Sequence, residues 1–184
     1  MQALNEIKNF KEIKKLYKHA FPRSERVPFF LIKRFSKRRD ISLTAYYDGG
    51  TFCGFSYSVE SDTLFLVLYL AVSEAVRGQG YGGKILTYLK NSHPDKTVVL
   101  HIEPLDENAP NIEERKSRLN FYLKNGFINT GHFVEEVGGR FLILSQKAEV
   151  DYREYSQIFY KLTGGTVSGK IYSPDGKRML FDRK

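Results

Sequence analysis

The chain has 184 residues, of which 41% are hydrophobic and 14% aromatic, and this suits one domain with a packed core and a small appendage. Its single cysteine, Cys53, excludes an intrachain disulfide and the cysteine-rich zinc sites, so we expect no metal and a reducing environment. The formal net charge of +8 indicates either an anionic partner (a nucleic acid, a membrane surface or a phosphorylated cofactor) or only a basic soluble surface.

The first part of the chain is charged throughout and has no signal-peptide core. Apolar residues recur at helical spacing over residues 9–20, which predicts an amphipathic helix. The stretch FPRSERVP then breaks the pattern, and a short second helix is expected over residues 28–35. The longest apolar run, residues 64–72, is far shorter than the ~20 residues that span a bilayer, so we expect a cytoplasmic protein without a membrane partner.

Three β-strands are predicted next, in the segments ISLTAYY, TFCGFSYSVE and TLFLVLYLAV, with turns at DGG and SD. Together they predict an antiparallel meander. Cys53 alternates with Phe55, Tyr57 and Val59 along the second strand, so we expect a packed strand residue rather than a nucleophile.

The stretch RGQGYGGK, residues 77–84, follows the meander. It fits the dinucleotide fingerprint GxGxxG, most of the Walker pattern GxxxxGK[ST], and a third pattern, RxxGxG. Each pattern would bind a phosphate or pyrophosphate through backbone N–H groups at the start of a helix. The preceding meander counts against a Rossmann or P-loop domain. Ile85 also replaces the Walker Ser or Thr, and the acidic residue that a dinucleotide site requires, Asp95, falls in a turn.

Helices and strands alternate beyond the glycines. A helix is followed by the strand KTVVLHIEP, which places His101 and Glu103 on one face. A second helix is predicted over residues 113–125 and ends before Gly126, and the strands FINTGHFVE and RFLILSQ come after it. The predicted fold class is α/β (α+β): a mixed, mostly antiparallel sheet with one right-handed βαβ crossover, flanked by helices.

The last part of the chain, residues 148–184, is predicted to be an extension of the domain formed by residues 1–147. Apolar residues at helical spacing indicate a helix that begins near Tyr152, and SPDGK indicates a hairpin. This extension would either cover a cleft or pair with a second chain, and we favour a homodimer.

The order of these elements resembles the GCN5-related N-acetyltransferase (GNAT) family over residues 1–147, with RxxGxG opening one helix and FYLKNGF closing the next. The resemblance implies that the glycine stretch binds the pyrophosphate of acetyl-coenzyme A. The residues in that role are Arg77, Gly78, Gln79, Gly80, Tyr81, Gly82, Gly83 and Lys84. Gly80 and Gly82 would let the diphosphate approach the main chain, and Lys84 would add a cation in the first helical turn.

The same resemblance assigns the thioester and its leaving group. In such enzymes two central strands splay apart, and the backbone groups of Leu70, Ala71 and Val72 would receive the pantetheine arm and the thioester carbonyl. Tyr122 occupies the place of the tyrosine that acts as general acid to the departing thiolate. A phenol with a pKa near 10 is a suitable donor to a thiolate whose conjugate acid has a pKa near 8.5.

Two arginines depart from the family pattern. Arg115 and Arg118 stand where many members carry Asn and Ala, and at ~100° per residue they share one sector of the helix with Tyr122. We expect that one of them contacts a coenzyme phosphate or makes Tyr122 more acidic. An attacking amine must also lose a proton, and Glu103 is the predicted base, with His101 on the same strand face as the other candidate.

The acceptor site in this family is bordered by the loop between the first two helices and by a late hairpin. That resemblance assigns acceptor binding to Glu25, Phe29, Phe30 and Glu135, an apolar slot with acidic groups suited to a cationic amine. The expected function is transfer of acetyl from acetyl-coenzyme A to a primary amine by direct attack in a ternary complex. The alternative is a non-catalytic acyl-coenzyme A binding or regulatory module. Nucleic-acid binding is not expected, because no aromatic platform or recognition helix is found.

Overall fold

A computed structural model describes residues 1–4, 10–136, 139–162 and 169–181 of the chain. The helices are α1 (Lys11–Ala20), α2 (Phe29–Phe35), α3 (Tyr81–Ser92), α4 (Ile112–Lys124) and α5 (Tyr152–Leu162). The strands are β1 (Gln2–Leu4), β2 (Ile41–Asp48), β3 (Thr51–Glu60), β4 (Leu64–Val72), β5 (Thr97–Ile102), β6 (Ile128–Glu136), β7 (Gly139–Ser145) and β8 (Lys170–Tyr172). No helix in these ranges is long and apolar enough to cross a bilayer.

The strands that the structure describes form one sheet in the order β1-β2-β3-β4-β5-β7-β6-β8. The pairs β1–β2, β2–β3, β5–β7, β6–β7 and β6–β8 are antiparallel. β4 and β5 are neighbours joined through α3, which is the βαβ crossover that the sequence predicts. The predicted fold class, a mixed and mostly antiparallel sheet with flanking helices, is confirmed.

The predicted helices and strands agree with the structure within a few residues, and one strand was missed. The first helix begins at Lys11 rather than at Asn9, and Asn9 lies outside the described residues. The missed strand is β1, which pairs with the segment Ala45–Tyr47 of β2. Three residues are too few to show an alternating pattern, so no sequence signal indicated it. With β1 present, the glycine stretch follows the fourth strand of the chain.

The contacts divide the chain into two compact units. The first unit contains residues 1–60 and 67–92, and the second contains residues 61–66 and 93–184. α5 and β8 belong to the second unit together with β5, β6 and β7. The predicted boundary between residues 1–147 and the extension 148–184 stays a prediction.

The core of the first unit forms where α1 and α3 bury their apolar stripes. α1 buries Ile13, Leu16 and Tyr17, and α3 buries Ile85, Leu86 and Leu89, as the helical spacing predicts. Cys53 is a free and fully buried thiol on β3, and burial raises its pKa above the usual value. Both properties fit a packed strand residue.

The core of the second unit forms on β5, β7 and α5. α5 buries Tyr155, Ile158 and Phe159, and β8 pairs with β6 through the partners Phe133 and Tyr172. The turn after β8 is closed by a hydrogen bond from the Ser173 N–H to the Lys177 carbonyl at 2.9 Å. The hairpin predicted at SPDGK is therefore present.

Candidate active site

The glycine stretch forms the connection from β4 to α3 in the first unit. A short 3-10 helix, Glu74–Val76, leads into it, and α3 begins at Tyr81. Gly78 and Gly80 have φ angles of +77° and +80°, in the left-handed region that side chains rarely adopt. A methyl group added at either position would meet no atom within 4 Å, so both backbones face open space. Gly82 and Gly83 lie in the first turn of α3.

The N–H groups of this loop divide into two sets. Arg77, Gln79 and Lys84 donate to the carbonyls of Glu74, Val76 and Gly80 at 3.1 to 3.4 Å. Within the described ranges, the N–H groups of Tyr81, Gly82 and Gly83 have no hydrogen-bond partner. They are the first-turn donors of a 12-residue helix, which the helix dipole makes favourable for an anion. The loop therefore has the geometry of a phosphate-binding site.

The side chains of the loop add charge around these donors. The Lys84 ammonium lies 4.4 Å above the ring of Tyr81, and Arg77 Nη1 lies 3.4 Å from Glu74 Oε1 at the surface. The Tyr81 hydroxyl donates to Asp48 Oδ2 at 2.9 Å, and this bond is the main reason that the pKa of Asp48 lies below its usual value. Tyr81 is thus oriented by β2, the second strand from the sheet edge.

The predicted thioester segment, Leu70 to Val72, ends β4. Ala71 is buried, and its carbonyl oxygen lies directly against the backbone of Gly54 on β3. A methyl group at Gly54 would overlap that oxygen, and the φ of Gly54 is +155°, so glycine permits the close approach of the two strands. The role of Leu70, Ala71 and Val72 in binding the thioester stays a prediction.

Tyr122 lies near the end of α4, in the second unit. Its side chain is 8% exposed, and the rings of Phe121 and Phe127 pack edge-on against it at 5.1 and 5.8 Å. Burial raises the pKa of Tyr122 to about 12, while the charge of Arg118 acts in the opposite direction. Within the described part of the chain the Tyr122 hydroxyl has no hydrogen-bond partner. The phenol is protonated at neutral pH, as a general acid must be.

Glu103 follows the last residue of β5 and is surrounded by cations. Arg118 Nη1 donates to its Oε2 at 2.6 Å, Arg115 Nη2 lies 3.1 Å from its Oε1, and Asn111 Nδ2 donates at 3.3 Å. Burial by itself would raise the pKa of Glu103, but these hydrogen bonds and charges outweigh it and hold the pKa below its usual value of 4.5. A carboxylate held in this way is a weak proton acceptor at neutral pH. The predicted role of Glu103 as base stays untested, and the ion pairs count against it.

The two arginines are brought together by Glu103, on the α4 sector that the sequence predicts. Arg115 is fully engaged, because its Nε donates to Asn111 Oδ1 at 2.9 Å and its Nη1 donates to the Pro104 carbonyl at 2.9 Å. Arg118 uses Nη1 for Glu103, and its side chain is 41% exposed. Arg118 is thus the better placed of the two to meet a ligand, and a contact of either with coenzyme phosphate stays a prediction.

Replacing Glu103 with glutamine is expected to destabilise the fold in a pH-dependent way. The pKa of Glu103 is lowered by folding, so its contribution to stability is present above the unfolded pKa and is lost as the pH falls through the folded pKa. The difference in unfolding free energy between the wild type and Glu103→Gln should be full above about pH 5 and should close at lower pH. Urea unfolding between pH 3 and pH 7 measures it.

Glu107→Gln is the control for this experiment. Glu107 pairs with Lys116 at 3.3 Å in an exposed ion pair, for which we expect a change of about 0 to 1 kcal/mol at most. If the stability of Glu103→Gln differed from that of the wild type equally at pH 3 and pH 7, the ion pairs would not be its source.

The predicted acceptor residues fall into both units. In the first unit, Glu25 ends the 3-10 helix Arg23–Glu25, Phe29 packs against Tyr17 with 5.8 Å between the ring centroids, and Phe30 is 68% exposed. In the second unit, Glu135 is bound to Lys170 Nζ at 2.5 Å and to the Tyr172 hydroxyl at 2.9 Å. These hydrogen bonds hold the pKa of Glu135 below its usual value. Their role in acceptor binding stays a prediction.

His101 has a different environment from the one a free base requires. Its Nε2 lies 2.7 Å from Glu136 Oε1, and its Nδ1 lies 2.9 Å from the hydroxyl of the fully buried Tyr155. With both ring nitrogens engaged, His101 connects β5, β6 and α5. Neither Glu136 nor Tyr155 was singled out in the sequence, because the two residues lie 35 and 54 positions from His101.

Comparison with known proteins gives a consistent result. The family model described as an acetyltransferase (GNAT) domain matches residues 39–129. YjbC of Bacillus subtilis (strain 168), named as a candidate acetyltransferase, is 41% identical over 68 residues, which are 37% of this chain and 33% of YjbC. The chain thus spans about a third of the length of this curated relative.

Solved structures extend the likeness to most of the fold. A candidate GNAT-family acetyltransferase from Bacteroides thetaiotaomicron superposes with a TM-score of 0.72 at 20% identity and covers 90% of this chain and 99% of its own. An aminoglycoside 6'-N-acetyltransferase complexed with coenzyme A has a TM-score of 0.60 at 16% identity and covers 82% and 98% of the two chains.

The matched segment, residues 39–129, is an acetyltransferase domain of the GNAT family. Acetyl-coenzyme A is the co-substrate of this family. The glycine loop and the first turn of α3, whose N–H groups are free for an anion, fit its diphosphate.

Proposed function

We propose that the protein is an N-acetyltransferase that moves the acetyl group of acetyl-coenzyme A to a primary amine by direct attack in a ternary complex. The observation that carries this proposal is the set of unpartnered N–H groups at Tyr81, Gly82 and Gly83, next to a loop whose two left-handed glycines face open space. In this proposal the loop from Arg77 to Lys84 holds the diphosphate of the coenzyme, and Lys84 supplies a cation.

The proposed reaction passes through a tetrahedral intermediate. The amine nitrogen forms a bond to the thioester carbonyl carbon as the carbon–oxygen π bond opens, and that π bond re-forms as the carbon–sulfur bond breaks. The proton of the Tyr122 hydroxyl passes to the leaving sulfur, which becomes the free thiol of coenzyme A. The phenolate left on Tyr122 takes a proton back from water, and the proton lost by the amine goes to water.

Arg118 supports this role of Tyr122. Its charge lowers the pKa of the phenol against the larger effect of burial, so it stabilises the phenolate that forms when the proton leaves. Glu103, held by Arg115 and Arg118, then serves to position Arg118 rather than to accept the proton of the amine. Water is therefore the proposed first acceptor of that proton.

The proposed acceptor is an amine because a relative of the same fold is named as an N-acetyltransferase of an aminoglycoside. We propose that Glu25, Phe29 and Phe30 of the first unit border its site, and a role of Glu135 in acceptor binding stays a prediction. A location in the cytoplasm and a homodimer remain predictions that go with this function.

A second candidate is a non-catalytic module that binds acyl-coenzyme A. The observation that favours it is the lowered pKa of Glu103, since the predicted base is already neutralised by two arginines. Such a module would bind the coenzyme through the same loop without turnover.

Two measurements separate these functions. Calorimetry with acetyl-coenzyme A and with coenzyme A tests the loop, and a thiol-release screen over an amine library tests transfer. Binding with amine-dependent thiol release is the expected result. Binding without thiol release would support the module, and no binding of either compound would overturn both proposals.

A further inference from the structure

The connection between α1 and α2, residues 21–28, is fastened by the hydroxyl groups of two tyrosines. We call this connection the acceptor loop, because the proposed acceptor residue Glu25 lies in it. The hydroxyl of Tyr69 on β4 donates a hydrogen bond to the Glu25 carbonyl at 2.7 Å. The Tyr69 hydroxyl oxygen also accepts a hydrogen bond from the Val27 N–H at 3.3 Å. Tyr17 of α1 donates to the Val27 carbonyl at 2.9 Å. The backbone of Glu25 and Val27 is thus held by three hydrogen bonds.

Packing holds the Tyr69 ring in the position that these bonds require. Tyr17 and Phe21 pack edge-on against it with ring centroids at 5.0 and 4.8 Å, and Tyr57 stacks on it at 6.1 Å. A ring held by three aromatic neighbours has few alternative rotamers, so its hydroxyl points at one place. The side chain of Tyr69 is therefore held in one orientation by its neighbours.

Tyr69 also lies beside the predicted thioester segment. It directly precedes Leu70 on β4, and its side chain leaves the same face of the strand as that of Ala71, two residues later. One side chain thus ties the acceptor loop to the strand that would hold the acetyl group. No motif in the sequence singles out Tyr69.

We propose that Tyr69 is a positioning residue that fixes the acceptor loop relative to the acetyl group and thereby sets the KM for the amine. This inference rests on the proposed acetyl transfer and adds a residue that acts on the acceptor alone. Both of these bonds of the Tyr69 hydroxyl go to the backbone of the loop, so its removal changes where Glu25 and the neighbouring Phe29 lie, without removing any proposed coenzyme contact.

The test compares Tyr69→Phe, which keeps the ring, with Tyr57→Phe. The Tyr57 hydroxyl belongs to the same aromatic cluster but makes no bond to the acceptor loop in the described structure. Steady-state thiol release is measured against the amine and against acetyl-coenzyme A, and melting temperatures are recorded. Because Tyr69→Phe loses two hydrogen bonds, we expect its KM for the amine to rise about tenfold and its KM for acetyl-coenzyme A to stay unchanged. Tyr17→Phe should raise the KM for the amine by a smaller factor.

The outcomes are distinct. An unchanged KM for the amine in Tyr69→Phe, or an equal rise in Tyr57→Phe, overturns the inference while the proposed function stands. A rise in both KM values together with a lower melting temperature shows a general structural role and also overturns it. A wild-type protein that releases no thiol with any amine overturns the proposed function, and the inference falls with it.

Discussion

Gly80→Ala is expected to weaken the binding of coenzyme A and acetyl-coenzyme A by about tenfold to a hundredfold. This range corresponds to the loss of about one to two hydrogen bonds between backbone N–H groups and a charged phosphate. Gly80 has a φ of +80°, so alanine either strains the loop or rotates it out of its conformation. Either change moves the N–H groups of Tyr81, Gly82 and Gly83 away from the phosphate. Calorimetry with coenzyme A measures the effect directly.

Gly176→Ala is the matched control. Gly176 has a φ of +84° and, like Gly80, no atom within 4 Å of an added methyl group, but it lies in the turn after β8. Both variants should therefore lose about 1 to 2 kcal/mol of stability from the same backbone strain. Only Gly80→Ala should lose coenzyme affinity. Equal affinities in the two variants would mean that the loop does not hold the diphosphate.

Tyr122→Phe is expected to lower kcat by about a hundredfold or more, the usual range for loss of a general acid. The affinity for acetyl-coenzyme A should stay the same, because the phenyl ring is kept. Its hydroxyl has no partner among the described residues, so the melting temperature should change little. Single-turnover thiol release and calorimetry separate the two quantities.

The pH profile gives a second check on Tyr122. Burial raises its pKa to about 12, so the phenol stays protonated throughout the range in which a usual tyrosine, with a pKa of 10.0, would ionise. The rate should therefore not fall between pH 8 and about pH 10 through loss of this proton. Tyr152→Phe, a change on α5, controls for removal of a tyrosine hydroxyl elsewhere in the second unit. If Tyr122→Phe kept the wild-type kcat, another group would protonate the sulfur.

Much of the fold could be predicted because local patterns carry it. Helical spacing gave α1, α3, α4 and α5, and alternation with turn residues gave β2, β3 and β4. Gly126, with a φ of +78°, lies just after α4 as its predicted C-terminal glycine. The insertion of β7 between β5 and β6 could not be predicted, because a hairpin can join a sheet edge by either of its strands.

The candidate site was predictable only where a backbone requirement shows in the sequence. The glycine loop is such a case, since left-handed residues demand glycine. The partners of Glu103 are not, because the helix sector of Arg115 and Arg118 indicates only a coenzyme phosphate or Tyr122 as their target. Which carboxylate an arginine meets depends on packing between distant segments, and no local pattern records it. The role of Tyr69 could not be predicted for the same reason, because its partners Glu25 and Val27 lie on a distant segment.

The contact of Gly54 with the Ala71 carbonyl links the backbone of β3 to the proposed thioester segment of β4. A methyl group at Gly54, on the neighbouring strand, would overlap the Ala71 carbonyl oxygen, so it would push the end of β4, which is the proposed thioester segment. Because the contact is with backbone and the φ of Gly54 is +155°, Gly54→Ala already forces a large shift, and turnover should fall steeply if the thioester lies on β4 as proposed.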